Sequence, residues 1–279
     1  MNMGELKSLR KFLILTYSAS WVVWFCAMSL NLPDVPNGIL ILLGAFMPSI
    51  MGTILSTHKK NDELKRDFWH RVVSFKRIGS RWFLLIVGFF AVNWIVTILI
   101  YGIVEDGLPE FTNTIHILTN PVAIVGFTII QILGGPLAEE LGWRGYALDI
   151  LQQNWSALTS SLILGLFWSV WHLPLFFVKN TSQISMGFGT TLFWLWVVGV
   201  FSTSVFITWI YNNTNRSILG AILIHLIGNY INALIGSDVP ADKVVFGNIV
   251  YTMVSLVLVT LIVMFFGPKN LIRLPKGNI

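Results

Sequence analysis

The sequence predicts an all-α, polytopic membrane protein of about eight transmembrane helices, with its site inside the helix bundle. Three observations lead there. Hydrophobic residues make up 55% of the 279 and charged residues only 11%, where a soluble domain carries about 25% charge. Apolar runs of about 20 residues, the length that crosses a hydrocarbon core, recur along the whole chain. The basic residues between them gather in alternate connectors, as they do in membrane proteins of fixed orientation.

In chain order the candidate spans are Phe12–Leu30, Ile39–Thr57, Trp82–Tyr101, Val122–Leu137 and beyond, Leu158–Val178, Leu192–Tyr211, Ile218–Ile235 and Val244–Phe266. Turn formers such as Asn31-Leu32-Pro33-Asp34 and Gly107-Leu108-Pro109 separate them. Lys7, Arg10 and Lys11 precede the first run as in a signal peptide, but no small-residue cleavage site follows, so the run is expected to stay as a span. Residues 58–81 form the one long basic connector. Its Leu64, Phe68, Trp69 and Phe75 lie among lysines and arginines, which predicts an interfacial amphipathic helix rather than a solvated linker. One integral membrane unit is expected in two parts. Residues 1–120 hold three helices and the basic segment, and residues 121–279 hold the motif-bearing core with helices four to eight.

Charge sets the expected orientation. With a cytoplasmic N-terminus, the inner segments hold 16 of the 18 lysines and arginines, and the outer ones only Lys179 and Lys243. Both termini are then cytoplasmic, in a multi-pass protein of the cell membrane. The net charge of +5 points to anionic lipid headgroups as partner, not to nucleic acid, because no aromatic-basic module or zinc spacing accompanies it. Cys26 is the single cysteine, so no intrachain disulfide is possible.

Ionisable residues inside a span are costly and mark function by default. Four stand out: Glu139, Glu140, His172 and His225. Adjacent helical residues point about 100° apart, so the two glutamates face different ways. Glu140 and Arg144 are four apart and share a face, which pairs them. Glu139 is then left to face a cavity as a base. In Trp168-x-x-x-His172 the aromatic ring and the imidazole also share a face, and Pro174 breaks the helix just beyond. In His225-x-x-x-Asn229 an imidazole and a carboxamide stand one turn apart, able to direct two donors at one point, as an oxyanion hole requires. Each motif also has a plainer reading. The glutamates could cap a helix end, His172 could be satisfied by packing, and Gly228 beside His225 could mark a helix contact.

Taken together, in this order and on separate helices, the three motifs resemble the CPBP membrane proteases, the family of type II CAAX prenyl endopeptidases and bacteriocin-immunity relatives. That family is marked by Glu-Glu-x-x-x-Arg, Phe-x-x-x-His and His-x-x-x-Asn. Trp168 departs from the pattern by standing where phenylalanine is usual, which puts pocket shape in doubt more than chemistry. The resemblance implies an intramembrane glutamic endopeptidase acting on membrane-associated peptides or proteins. It implies Glu139 and His172 on the attacking water, His225 and Asn229 on the carbonyl oxygen, and Glu140, Arg144 and Trp168 in support, with no metal or cofactor. Three rivals remain. Two glutamates and two histidines could ligate zinc, although no His-Glu-x-x-His occurs. Immunity relatives suggest a protein that only binds a partner. Intramembrane acids and histidines also build proton relays, although no broken-helix repeat supports transport.

Overall fold

The structure, a computed structural model, describes residues 3–58 and 61–272, with the side chains of residues 234–237 left aside. All of its regular elements are helical. They run α1 Met3–Ser29, α2 Asp34–Ala45, α3 Met47–Thr57, α4 Asp62–Val73, α5 Gly79–Val104, α6 Thr112–Thr119, α7 Pro121–Leu133, α8 Pro136–Gly142, α9 Leu148–Asn154, α10 Ala157–Trp171, α11 Ser182–Met186, α12 Thr191–Asn213, α13 Ile218–Asp238 and α14 Val244–Phe266. Local chemistry sets many boundaries. Asn61, Asn120, Ser156 and Thr190 each turn a side-chain oxygen onto the first free backbone N–H groups of the helix that follows. The polar loop tips Asn31 and Asn215 adopt left-handed backbone, which asparagine tolerates better than most residues.

Among the described residues, seven segments are long and apolar enough to cross a membrane, including Asp34–Thr57, which joins α2 and α3, and Pro121–Asn154, which runs from α7 to α9. Their outer faces are apolar as well. Ile103, Val122 and Phe265 are 81%, 82% and 76% exposed, an arrangement that water would penalise and lipid does not. The expected span Ile218–Ile235 differs from the others. The described apolar part of α13 is Ile218–Ala233, shorter than those seven, and Ile235 lies among the side chains outside the described residues. Lys59, Lys60, Arg273 and Lys276, which contribute to the basic bias, also lie outside the described residues.

Three expected spans are not continuous. The second is split between α2 and α3 at Phe46. The fourth is interrupted at Gly134 and Gly135 and passes through a π-helical turn at Trp143–Ala147, a one-residue widening that often accompanies functional sites. The fifth ceases to be α-helical at Trp171 and continues as a 3₁₀ turn over Leu173–Phe177, because Pro174 cannot extend the ladder. His70 and His116, outside the candidate spans, lie on the short helices α4 and α6.

The basic connector does fold into an amphipathic helix. On α4, Phe68 and Arg71 are buried, while Leu64, Trp69 and Val73 are exposed. Arg71 fastens it to the bundle through Asp149 on α9 at 3.1 Å and the Tyr211 hydroxyl on α12 at 2.8 Å. Arg216 also donates to Asp149, at 3.1 Å through Nε.

The first three helices carry no motif, yet they form the bed of the site. A β-carbon on Gly52 would stand 2.5 Å from the Gly142 α-carbon, and one on Gly142 would meet the Pro48 carbonyl. Only paired glycines let the α3 and α8 backbones come this close, as small residues do in membrane helix contacts. Ser49 Oγ on α3 donates to the Leu137 carbonyl of α8 at 2.9 Å. The end of α10 is held from α1: the Tyr17 hydroxyl donates to Phe167 O at 2.5 Å and Trp21 Nε1 to Trp171 O at 3.0 Å. The Trp171 carbonyl is among the groups that the helix end frees.

Candidate active site

Three helices bring the predicted residues together. Glu139 and Glu140 lie on α8, Trp168 on α10 with His172 as its C-terminal cap, and His225 and Asn229 on α13. Glu139, Glu140, Arg144, Trp168, His172 and His225 are all buried, and Asn229 is partly so.

The two glutamates face different partners. Glu140 Oε1 accepts from Arg144 Nη1 at 2.8 Å and from His225 Nδ1 at 2.7 Å. Both glutamate and arginine side chains are fully enclosed, so each depends on the other for charge balance. Arg144 also lies over the Trp168 ring, 4.4 Å from its centroid. Glu139 turns instead toward α10. Its Oε2 accepts from the Trp168 indole N–H, and its Oε1 stands 3.9 Å from His172 Nε2. Glu139 is therefore held at one oxygen and open at the other, whereas the spacing alone left it unpartnered. His172 is oriented by its own helix end, with Nδ1 2.8 Å from the Trp168 carbonyl. That carbonyl accepts only if Nδ1 carries the hydrogen, which leaves the Nε2 lone pair facing Glu139.

Gly135 is the residue that the sequence reading missed. A β-carbon there would lie 2.9 Å from Asn229 Nδ2 and 3.1 Å from His225 Nε2. Two potential donors on α13 thus face one small volume beside the Gly135 backbone. Gly135 immediately precedes α8, the helix that carries Glu139. The Gly134-Gly135-Pro136 triplet inside an apolar run was the available signal, since such clusters mark a break or a close approach.

A helical membrane bundle that encloses two glutamates, an arginine and two histidines defines a class of buried polar membrane site. The comparisons make that class specific. Residues 121–231, which include every residue of the site, match the family model described as type II CAAX prenyl endopeptidase Rce1-like. The chain is also 30% identical over 230 residues to CAAX prenyl protease 2 of Methanococcus maripaludis, covering 78% of this chain and 81% of that protein. This chain belongs to the CPBP family of Rce1-like type II CAAX prenyl endopeptidases and is a multi-pass membrane protein.

Proposed function

We propose that the protein is an intramembrane endopeptidase that hydrolyses peptide bonds of membrane-associated substrates, with prenylated C-terminal peptides as the substrate class that its family supports. The observation that carries the reading is the convergence of His225 Nε2 and Asn229 Nδ2 on one volume beside Gly135, the residue that precedes the helix carrying Glu139. Peptide hydrolysis needs an activated water and a place for charge on the carbonyl oxygen.

Glu139 Oε1 takes a proton from the attacking water, and the His172 Nε2 lone pair, its direction fixed by the Trp168 carbonyl, orients that water. As the hydroxide adds, the carbonyl oxygen gathers negative charge in the volume beside Gly135, where Asn229 and His225 donate to it. Collapse of the tetrahedral species passes the proton from Glu139 to the leaving amine. His225 gives its Nδ1 hydrogen to Glu140, so a second donor at Nε2 requires the ring to carry both protons. The buried charges then balance: two carboxylates against one guanidinium and one imidazolium.

Gly135→Ala tests this directly by placing a methyl group in the oxyanion volume. We expect cleavage of a farnesylated fluorogenic peptide to fall at least about 10²-fold, the scale of losing one oxyanion donor. Asn229→Ala should fall comparably. A folded Gly135→Ala protein with wild-type turnover would remove the oxyanion assignment.

A zinc-dependent reading has one supporting observation. Both histidines engage Nδ1 and leave Nε2 toward the site, as metal-ligating imidazoles do. Among the described residues, however, no group of three or more His, Cys, Asp or Glu is arranged to hold a metal ion. Activity is expected to survive exhaustive chelation. Loss of activity that stoichiometric zinc restores would establish the metal mechanism instead.

Both termini are placed on the cytoplasmic side. The 16-to-2 bias in basic residues supports this. In a Cys26→Ser background, a cysteine at position 62 should react with a charged thiol reagent only from the cytoplasmic side, and one at position 107 only from outside. The reverse pattern, or labelling of both from one side, would reject the orientation.

A further inference from the structure

Trp168 occupies a motif position where its family uses phenylalanine, yet it makes a contact that no phenylalanine can make. Its indole N–H donates to Glu139 Oε2. The other contacts of the residue need only an aromatic ring or a backbone. Arg144 lies 4.4 Å from the ring centroid, the His225 ring meets it edge-on at 5.2 Å, and the backbone carbonyl orients His172. The residue is 4% exposed, so water does not readily replace a lost donor.

We infer that Trp168 is a positioning residue, whose indole N–H fixes the rotation of the Glu139 carboxylate so that Oε1 faces His172 and the substrate side of the site. This rests on the protease reading for its consequence in catalysis, though not for the bond itself. The argument is geometric. A carboxylate turning freely about its last bond offers either oxygen to the cavity. Holding Oε2 against α10 leaves Oε1 as the atom 3.9 Å from His172 Nε2, a separation too long for a direct hydrogen bond and suited to a shared third atom. Preorganisation of this kind acts on the chemical step more than on substrate binding. In a relative with phenylalanine, some other group must hold the carboxylate or leave it free.

The test replaces one atom. β-(3-Benzothienyl)alanine puts sulfur where tryptophan has N–H and keeps the bicyclic shape. It is introduced at position 168 of the full chain in phospholipid nanodiscs, beside Trp168→Phe, and a farnesylated fluorogenic peptide is the probe. Both variants should lose about tenfold to a hundredfold in kcat, the range for a hydrogen bond to a charged group. KM should stay within about twofold, the pattern of an interaction felt mainly in the transition state. The benzothienyl protein should still fold and give a single cooperative melting transition. Wild-type kcat in the benzothienyl protein overturns the inference, and so does a loss confined to KM.

A second readout does not depend on activity. The Trp168 N–H vibration is isolated by subtracting the ultraviolet resonance Raman spectrum of Trp168→Phe, first with Glu139 present and then with Glu139→Leu. The band should move to the unbonded position when the carboxylate is gone. If wild type cleaves no peptide, the protease reading fails by itself, while this band still decides whether the bond exists. An unmoved band overturns the inference regardless of activity.

Discussion

Glu139→Gln should leave a folded protein whose turnover is lower by at least about 10²-fold, the low end for removing a general base. The substitution keeps size and burial. Its carboxamide oxygen is the acceptor that the Trp168 N–H selects, which turns the NH₂ group toward His172 Nε2. A donor then stands where the proton must be received, and the water keeps its proton. The check is steady-state cleavage by purified protein together with a melting curve. Wild-type turnover in Glu139→Gln would end the assignment of this residue as base. The same variant separates catalysis from binding: if it still confers a protective or partner-binding phenotype at full strength, that phenotype does not depend on hydrolysis.

Glu140→Gln should fail in the opposite way, through stability. Glu140 Oε1 is shared by Arg144 and His225, and the glutamate–arginine pair has no solvent exposure. Removing the charge leaves a guanidinium enclosed with no carboxylate in contact. Breaking such a pair costs about 3–5 kcal/mol. Trp168 still covers one face of Arg144, which recovers a small part of this. The expected signature is a lower melting temperature and poor yield, with residual activity low because His225 exchanges a carboxylate partner for a neutral amide. The double variant Glu140→Gln, Arg144→Leu should regain much of the stability, since replacing a buried pair by apolar groups is often neutral or better. It should not regain turnover. A single Glu140→Gln variant that melts with wild type would show that the pair does not carry the charge balance argued above.

The contrast between these neighbours was visible in the sequence because helix geometry is periodic. A separation of one residue divides two side chains, and a separation of four unites Glu140 with Arg144, whatever surrounds them. The helical class was legible for a similar reason, since span length and composition are properties of the chain itself. What stayed hidden were contacts between remote segments. Nothing near Gly142 indicates that it meets Gly52 and Pro48, about 90 residues earlier, and nothing near Trp171 names Trp21 as a partner. Trp168 shows a subtler limit. Matching it to a phenylalanine position emphasised the ring, whereas the structure makes use of its nitrogen. The break at Gly134 and Gly135 is legible in the glycine pair itself, although the run is apolar on both sides.

The hydrogen bonds that α1 gives to the end of α10 join residues 150 positions apart, Tyr17 to Phe167 and Trp21 to Trp171. A chain enters the membrane from its N-terminus, so four hydrophobic segments are made before the partner of the first is complete. During synthesis, then, Tyr17 and Trp21 wait with their polar atoms unmatched, and Glu139 is already in place before His172 exists. The wall beneath the carboxylate is laid down early and its opposing imidazole arrives late. Assembly order thus keeps the site chemically unfinished until more than half of the protein has been translated.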